Sequence, residues 1–312
     1  MVTRRHLLIG AAAAGLALPF GAAASPRTYR WRGVALGAEA TILLHYPDRA
    51  AAERIVAACV AEIARLEAIF SLYRPGSAIR QLNRAGALDA PPPELVALLS
   101  EAKAVAALTG GAFDPTVQPL WRLYAAHFAA ADADPAGPAA EAIDRARALV
   151  DHRAVAVDSA RISLRPGMAV TLNGIAQGYV TDRVAELLRR AGLAHVLIDL
   201  GEVRALDGRP DGTPWRIAQG GADGPTIDLT DRAVATSRQD GTRFGGPFHH
   251  LFDPATGRSA DRATAVSVIA PRATTADALS TALAVLPVAA PGLLRATGAD
   301  AAWLDGRRID PA

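Results

Sequence analysis

The sequence predicts an α+β fold, built from long helices and short strands that follow one another irregularly. Its 312 residues are 51% hydrophobic, which is enough apolar material for a large core in one or two domains. Residues 48–69 carry the apolar period of an amphipathic helix, whereas several short segments bounded by Gly and Pro are typical of strands. Long helices mixed with irregularly spaced strands favour an α+β arrangement with antiparallel sheet elements over a doubly wound parallel sheet.

The N-terminal half of the chain alternates amphipathic helices with short turns and strands. Residues 34–46 predict an entering strand with a glycine near its start. The prolines at 91–93 open a helix that Gly110 and Gly111 end. Residues 131–142, rich in Ala, Asp, Pro and Gly, predict an exposed insertion. The remaining predicted elements are helices at 48–69, 78–83 and 120–130, a turn at 70–77 and two short strands within 150–164.

The C-terminal half is predicted to contain more strands. Residues 180–191 predict a helix that Gly192 caps, and a second helix carries Asp277 and Thr281. The other predicted elements are strands at 195–200, within 203–230 and at 265–270, a turn or strand at 233–237, and a terminal helix–strand pair.

The N-terminus has the pattern of a signal peptide. Arg4 and Arg5 precede an apolar run at 9–20, and small residues suited to cleavage follow at 21–25. Paired arginines indicate the twin-arginine export route. A membrane anchor is the alternative interpretation, but Pro19 interrupts the run, which is short for a full span.

This pattern divides the chain into a signal peptide at 1–24 and one exported domain at 25–312. We therefore expect a periplasmic protein with no integral membrane segment after cleavage. Cys59 is the single cysteine, so no internal disulfide can form. The 33 basic and 31 acidic residues nearly cancel, which gives no bulk attraction to nucleic acid. The single lysine, Lys103, lies in an ordinary helical stretch, and Schiff-base chemistry is therefore discounted.

Residues 249–281 combine an imidazole, a turn and two oxygen-bearing side chains. Asp277 and Thr281 are four residues apart, so on a helix they lie one turn apart on the same face. A carboxylate and a hydroxyl in that arrangement suit a hard cation such as Mg²⁺, although a capping or surface role is the default for such a pair. His250 competes with six other histidines, and Asp253 with its following proline is typical of a turn.

Two glycine-containing segments have alternative interpretations. Residues 174–178 form a small-residue junction before a helix, where backbone N–H groups can bind phosphate or can serve only an ordinary tight turn. This segment lacks the lysine of a P-loop and the spacing of a dinucleotide fingerprint. Residues 110–114 are either a helix stop with a turn or a segment that presents the carboxylate of Asp114 to a ligand.

The order of these motifs resembles the ApbE family of flavin transferases, which are FAD:protein FMN transferases. The resemblance extends from about Val34 to Leu286. The six motifs that carry it are Ser71-x-Tyr73-x-Pro75-x-Ser77 with Leu82-Asn83, Gly111-Ala-Phe-Asp114-x-Thr-Val, Asn173-Gly-Ile-Ala-Gln-Gly-Tyr-x-x-Asp182, Val234-Ala-Thr-Ser237, His250-x-x-Asp253-Pro-x-Thr-Gly257 and Ala276-Asp277-Ala-Leu-x-Thr281.

The resemblance implies a mixed fold with packed helices and a ligand cleft between two lobes. It also implies that FAD is the substrate, that Mg²⁺ binds its pyrophosphate, and that the FMN half passes to a Thr or Ser hydroxyl while AMP leaves. Asp277 and Thr281 would then be side-chain ligands of the metal, the carbonyl of Ala176 would be a third ligand, and His250 would be the base. The residues expected to line the FAD site are Tyr73, Asn83, Asp114, Asn173, Gly174, Gln177 and Gly178.

Three positions depart from the family pattern. Gln177 replaces a common lysine, Leu36 stands in a Met-Gly-Thr-like segment, and Gly201 is followed by Glu202 where two glycines are usual. The variants at 173–178 and 199–202 resemble accessory members associated with respiratory flavoproteins, including those of nitrous-oxide reduction. The implied partner is an exported flavoprotein with a Ser/Thr-Gly-Ala-Ser/Thr-like motif, for example a subunit of a respiratory complex.

Two other functions are compatible with the same residues. An FAD pyrophosphatase would use water in place of the target hydroxyl and would release FMN and AMP. A non-catalytic periplasmic FAD-binding protein would hold FAD without turnover, but such a protein has no use for a base such as His250.

Overall fold

The computed structural model describes residues 27–218 and 226–312. The described residues form eight α-helices and seventeen strands, and every strand pair among them is antiparallel, which confirms the predicted α+β class. The helices are α1 (Arg49–Phe70), α2 (Ala78–Ala85), α3 (Pro93–Leu108), α4 (Gln118–Phe128), α5 (Ala140–Arg147), α6 (Ala176–Arg190), α7 (Ala273–Val285) and α8 (Ala290–Thr297).

Eight of the strands form one large sheet, and the others form small sheets at its periphery. The large sheet has the order β1-β2-β6-β7-β10-β15-β16-β17. Its strands are β1 (Arg27–Ala35), β2 (Ala38–Tyr46), β6 (Val196–Asp199), β7 (Val203–Leu206), β10 (Ala233–Arg238), β15 (Ala265–Ala270), β16 (Ala301–Leu304) and β17 (Arg307–Ile309). The peripheral strands are β3 (Ala87–Asp89), β4 (Ala156–Val157), β5 (Arg161–Ser163), β8 (Trp215–Ala218), β9 (Thr226–Leu229), β11 (Arg243–Gly245), β12 (Phe248–His249), β13 (Phe252–Asp253) and β14 (Arg258–Ser259).

Different elements pack on the two faces of the large sheet. The helices, α1, α6 and α7 among them, pack on one face, where Ile42, Ile198 and Leu206 join the main core. The β8–β9 hairpin covers the other face, where Val203 and Ala205 contribute to a separate apolar cluster. Because side chains alternate along a strand, β7 directs Arg204 and Leu206 toward the helices and its other residues toward the hairpin.

A small lobe is formed by α4, α5 and the strands β11–β14. Its core contains Leu120, Tyr124, Ile143 and Phe252, with further aromatic side chains packed around them. The buried Tyr124 hydroxyl donates to the carbonyl of Gly257 at 3.2 Å and so ties α4 to the β13–β14 hairpin. Buried aromatic hydroxyls need such a partner, and this bond fixes the position of the lobe's hairpin.

The structure differs from the predicted elements at several places, and strand β3 was not predicted. Residues 34–46 are part of a hairpin, because Leu36 and Gly37 both have positive φ angles, as a tight two-residue turn requires. The predicted insertion at 131–142 runs into helix α5. Helix α6 begins at Ala176, four residues earlier than predicted.

The predicted signal peptide at 1–24 lies outside the described residues. Within the described residues, no helix is both long and apolar enough to cross a membrane.

Candidate functional site

The N-termini of α6 and α7 lie side by side, and each helix supplies a carboxylate to the other. Asp182 of α6 accepts hydrogen bonds from the backbone N–H of Ala273 and of Thr274, both at 2.9 Å, and from the Thr274 hydroxyl at 2.7 Å. These bonds satisfy donors that a helix leaves unpaired in its first turn, and the negative charge is favourable at that end of the helix dipole.

Asp277 of α7 plays the reciprocal role at the start of α6. Its Oδ2 accepts the backbone N–H of Gly178 at 3.0 Å, and the side chain is only 3% exposed. Burial raises the pKa of this carboxyl; the Gly178 bond opposes the shift and the charge of Asp182 adds to it. The second oxygen of Asp277 makes no hydrogen bond with the described residues, which leaves it available to a cation.

Gly178 is needed where it is because α6 and α7 approach each other so closely. A Cβ at this position would overlap the carbonyl of Ala273 and would lie 2.8 Å from Thr274 Cα. Both obstacles are backbone, so a side chain at position 178 would push the two helix ends apart.

Thr281 lies one turn beyond Asp277 on α7, as the spacing predicts. Its Oγ1 is 3.3 Å from the hydroxyl of Ser237 on β10, which is also 2.8 Å from Ser280 Oγ. A Cβ on Gly174 would lie 2.9 Å from Thr281 Oγ1 and 3.3 Å from the ring of Phe113. The structure therefore brings the 174–178 segment, Asp277 and Thr281 together.

The first turn of α6 has few free backbone donors. The N–H of Ala176 donates to Leu172 O at 2.7 Å, that of Tyr179 to Ile175 O at 3.1 Å, and that of Gly178 to Asp277. Ala176 is the first helical residue, so the helical pattern pairs its carbonyl with a later N–H and leaves one lone pair free. Because these N–H groups already have acceptors in the protein, they argue against residues 174–178 as a phosphate-binding loop.

Asn173 and Gln177 flank this junction. Asn173 is exposed, and its backbone N–H donates to Thr171 Oγ1 at 3.2 Å. The amide of Gln177 lies against Gly201, since a Cβ there would overlap Gln177 Nε2. Gln177 therefore contacts the turn that precedes β7, and Asn173 has a side chain open to a ligand.

Asn83 holds the segment that leads into the junction. Its Nδ2 donates to Val170 O at 2.8 Å, and its Oδ1 accepts the Val170 N–H at 2.7 Å. The neighbouring Thr171 N–H donates to Pro115 O at 2.7 Å. Because both ends of the Asn83 amide already bind backbone, the side chain positions residues 170–173, and its predicted contact with FAD stays a prediction.

Asp114 is buried and its carboxylate is occupied by protein donors. Oδ1 accepts from Thr116 N at 2.8 Å and from Thr116 Oγ1 at 2.5 Å. Oδ2 accepts the backbone N–H of His152 at 3.2 Å and lies 2.9 Å from the Nδ1 of the same residue. Because a carboxylate oxygen can only accept, this contact places a proton on His152 Nδ1.

A groove of about 390 Å³ lies beside Asp114, at the boundary between the main body and the small lobe. Its lining consists of residues 109–112 and 114, residues 150–153, residues 253–255, Arg262, and Val285 and Leu286 at the end of α7. Of the predicted site residues, only Asp114 lines this groove.

Tyr73 lies on the turn between α1 and α2. Its side chain is 67% exposed, and the turn is held by Ser71 Oγ, which accepts the N–H of Tyr73 at 3.2 Å and of Arg74 at 3.1 Å. An exposed aromatic ring at a turn is available for stacking on a ligand, and its predicted role in binding FAD stays a prediction.

His250 is half-buried at the end of the β11–β12 hairpin. Its Nδ1 lies 3.2 Å from Thr242 O, and its ring packs over Gly241, where a Cβ would lie 3.2 Å from Cε1. Burial lowers the pKa of His250, against the opposing effects of the Thr242 carbonyl and the charge of Asp240. The ring is therefore neutral near pH 7, with Nε2 free to accept a proton.

The adjacent His249 has a structural role. It is 3% exposed, its Nδ1 accepts the N–H of Leu251 at 3.3 Å, and its backbone N–H and carbonyl both bond to Ser259 Oγ. Because Nδ1 of His249 already accepts a hydrogen bond, its neutral ring carries the proton on Nε2, whereas His250 keeps Nε2 as an acceptor. No hydrogen bond within the described residues links His250 to Asp277 or Thr281.

The oxygen atoms around Asp277 suit a hard cation. The described residues contain no group of three or more His, Cys, Asp or Glu side chains that could hold a metal ion. A carboxylate oxygen, a hydroxyl and a helix-end carbonyl are nevertheless donors of the kind that Mg²⁺ accepts, because Mg²⁺ commonly uses one or two protein carboxylates and completes its shell with water and phosphate.

Sequence reasoning missed several polar residues at this site. His152, Ser280 and Glu202 had no predicted role, and Ser237 was recognised only as part of a motif. Glu202 is 6% exposed, and its Oε2 accepts the N–H of Thr236 at 3.2 Å. The one sequence feature that could have drawn attention to Glu202 is its position after Gly201, where two glycines are usual in the family.

Comparisons with known proteins agree with this arrangement. The model of the ApbE family matches residues 36–303. The FAD:protein FMN transferase of Vibrio cholerae serotype O1 is 30% identical over 237 residues, which cover 69% of this chain and 68% of that protein. The corresponding protein of Treponema pallidum is 32% identical over 286 residues, covering 77% of this chain and 74% of that protein.

Solved structures show the same similarity. The ApbE protein of Thermotoga maritima superimposes with a TM-score of 0.80 at 28% identity, covering 91% of this chain and 97% of that one. The apo form of the Pseudomonas stutzeri flavinyl transferase ApbE superimposes with a TM-score of 0.76 at 27% identity, covering 92% of this chain and 96% of that one.

Proposed function

The chain belongs to the ApbE family, and on that basis we propose that it is a transferase that moves the FMN half of FAD to a Thr or Ser hydroxyl of a target protein. The observation that carries this proposal is the junction of α6 and α7, where the Asp277 carboxylate meets Gly178 N at 3.0 Å with Thr281 one turn away. A buried carboxylate beside a hydroxyl suits a cation that neutralises a pyrophosphate.

The transfer replaces one phosphorus–oxygen bond by another. The target hydroxyl oxygen attacks the phosphorus of the FMN half, the bond to the bridging oxygen breaks, and AMP leaves with that oxygen. Charge neutralisation and positioning dominate the catalysis of such a step, and no covalent enzyme intermediate is needed. This requirement agrees with a site that has no serine or cysteine nucleophile among its predicted residues.

Mg²⁺ would be held by Asp277 and Thr281 side chains and by the carbonyl of Ala176, and when bound it would neutralise charge on the phosphate oxygens. The described residues contain no basic side chain in an ion pair with Asp277, so a cation would also compensate a buried negative charge.

His250 is proposed to take the proton of the attacking hydroxyl. Its Nδ1 is held by the carbonyl of Thr242 at 3.2 Å, so Nε2 carries the lone pair. Burial keeps the pKa of this ring below its ordinary value, which maintains the neutral form that can act as a base.

FAD is proposed to bind between the junction and the small lobe. Asn173, Gly174 and Gln177 would contact it from the junction, Tyr73 from its exposed turn, and Asp114 from the groove at the lobe boundary. Asn83 would act indirectly, since its amide holds Val170 at the start of that junction.

The target is proposed to be an exported flavoprotein with a Ser/Thr-Gly-Ala-Ser/Thr-like motif, for example a subunit of a respiratory complex. The paired Arg4 and Arg5 and the apolar run after them support export of this chain to the periplasm by the twin-arginine route. Replacing both arginines by lysine should retain the protein in the cytoplasmic fraction, whereas unchanged export would contradict that route.

The experiment that tests the proposal incubates the protein with FAD, Mg²⁺ and such a target domain. We expect flavin fluorescence on the denatured target band, lost when EDTA is present or when the acceptor Thr or Ser of the motif is replaced by Ala. Free FMN with an unlabelled target would instead indicate an FAD pyrophosphatase. Bound FAD with no release of AMP would indicate a binding protein.

A further inference from the structure

Glu67, near the end of α1, holds the turn between β1 and β2. Its Oε1 accepts the backbone N–H of Leu36 at 2.6 Å, although the two residues are 31 positions apart in the chain. The two-residue turn closes with the pair Ala35 and Ala38, so the N–H of Leu36 points out of the ladder and needs an acceptor elsewhere. Because a carboxylate is a strong acceptor, this bond fixes where the turn lies relative to α1.

Local structure alone does not favour either partner of this bond. Helix α1 ends at Phe70, and a negative charge in the last turn of a helix is unfavourable beside the C-terminal end of its dipole. Leu36 has a φ angle of 50°, in a backbone region that residues with a side chain rarely occupy. Natural proteins keep locally unfavourable features of this kind mainly at functional or strained sites.

The β1–β2 turn adjoins the start of α6. A Cβ on Gly201 would lie 3.4 Å from Ala38 Cβ and would overlap Gln177 Nε2, so these three residues lie next to one another. Gln177 is one of the proposed contacts of FAD. The position of the β1–β2 turn therefore affects the part of the site to which Gln177 belongs.

Glu67 also contacts the turn that carries Tyr73. Its Oε2 lies 3.8 Å from Nη1 of Arg74, which donates to Ala64 O at 3.1 Å. Tyr73 directly precedes Arg74 and is another proposed contact of FAD. The side chain of Glu67 is 25% exposed, so solvent weakens the longer contact, and the bond to Leu36 is the stronger of the two.

We infer that Glu67 is a positioning residue for FAD binding, which acts by holding the β1–β2 turn against the start of α6 and the Tyr73 turn. This inference rests on the proposed function, in which Gln177 and Tyr73 contact FAD. A site whose walls are fixed in advance loses less conformational entropy when its ligand binds. A loosened turn should therefore lower the affinity for FAD and leave the chemical step unchanged. The alternative is that Glu67 only satisfies the unpaired N–H of a tight turn.

The test compares FAD binding and transfer kinetics in the wild type and in variants of α1. Glu67→Ala removes the acceptor of the Leu36 N–H, and we expect the Kd for FAD, measured by fluorescence titration with Mg²⁺, to rise about tenfold. In the transfer assay, KM for FAD should rise by a similar factor while kcat changes little. Glu67→Gln keeps an oxygen that can accept the same N–H, so it should restore most of the affinity.

The matched control is Glu53→Ala. Glu53 belongs to the same helix and pairs with Arg49 at 2.9 Å, one turn away on the surface of α1. Its removal should leave the Kd and KM for FAD at their wild-type values.

Hydrogen exchange without FAD locates the effect in the turn. The amides of residues 34–38 should exchange faster in Glu67→Ala than in the wild type, and at the wild-type rate in Glu53→Ala. Thermal unfolding of Glu67→Ala should stay close to that of the wild type, because alanine is a good helix former and the end of α1 loses an unfavourable charge.

The outcomes separate this inference from the proposed function. Wild-type affinity for FAD in Glu67→Ala would overturn it, whether or not that variant is less stable. An equal loss of affinity in Glu67→Gln and Glu67→Ala would overturn it too, since the bond to Leu36 would not be the cause. A wild type that binds FAD but labels no target would overturn the proposed transfer, while the binding comparison would still test Glu67.

Discussion

Gly178 and Asp277, which are 99 residues apart in the chain, are joined by a hydrogen bond of 3.0 Å from the backbone N–H to Oδ2. Asp182 makes the reciprocal bonds to the first turn of α7. The proposed metal carboxylate therefore also pairs an N–H in the first turn of a helix, and the two helices hold each other in place. Changes at this junction should affect stability and metal binding in separable ways.

Gly178→Ala should destabilise the fold. The new Cβ would meet the backbone of Ala273 and Thr274, with Thr274 Cα at 2.8 Å, so one helix end must move. We expect a loss of about 1–3 kcal/mol in the free energy of unfolding, measured by urea denaturation.

The control for this variant is Gly292→Ala. Gly292 lies inside α8, and a Cβ there meets no atom within 4 Å, so the substitution should stabilise the protein by about 0.5–1 kcal/mol. A Gly178→Ala protein as stable as the wild type would show that α6 and α7 are not packed as closely as described.

Asp182→Ala should weaken the start of α7. It removes the acceptor of three hydrogen bonds, two from backbone N–H groups and one from the hydroxyl of Thr274. By analogy with lost helix caps, the free energy of unfolding should fall by about 1–2 kcal/mol in urea denaturation. Asp132→Ala, at an exposed position, is the control and should change nothing; equal stability of the two variants would argue against the cap.

The transfer rate should depend on the protonation of His250. The neutral ring is the base, and burial lowers its pKa below 6.5, so the rate should rise with pH through a midpoint below 6.5 and then level off. His250→Gln should slow transfer by about 10²–10⁴-fold and remove this acid limb.

The control for this profile is His127→Gln, which alters a half-buried ring that contacts Asp134 O and lies away from the proposed site. It should keep both the rate and the acid limb. A His250→Gln protein with the wild-type pH profile would show that another group takes the proton, and Nε2 of His152, beside the groove, would be the next candidate.

Local sequence patterns predicted the regular elements well. Asp48 was placed at the start of α1, where its side chain accepts the N–H of Ala50 and of Ala51, and the strand at 265–270 was placed correctly. Capping residues and apolar periodicity are local signals, so they identify such elements without the fold.

The errors came from features that depend on distant contacts or on weak local signals. The turn at Leu36 places a non-glycine residue at φ 50°. A leucine gives no sequence signal for a turn of this kind. Helix α5 follows a Pro- and Gly-rich stretch, and its first residues, 140–142, were taken for part of that stretch. The start of α6 at Ala176 depends on the first-turn bond from Gly178 to Asp277, which no local pattern contains.

The site was predictable in its parts but not in its connections. The spacing of Asp277 and Thr281 correctly implied one helix face. The sequence could not show that Asn83 binds the backbone of Val170, or that Asp114 pairs with His152 at 2.9 Å. Such partners are set by tertiary packing.

The central claim is that this chain transfers FMN and does not merely split FAD. The most direct measurement follows AMP release and covalent flavin on an exported target domain in one reaction with FAD and Mg²⁺. We predict one AMP released for each FMN attached, and neither product with Asp277→Asn, a variant whose side chain can still accept the N–H of Gly178. AMP released in step with free FMN, while the target stays unlabelled, would contradict the account.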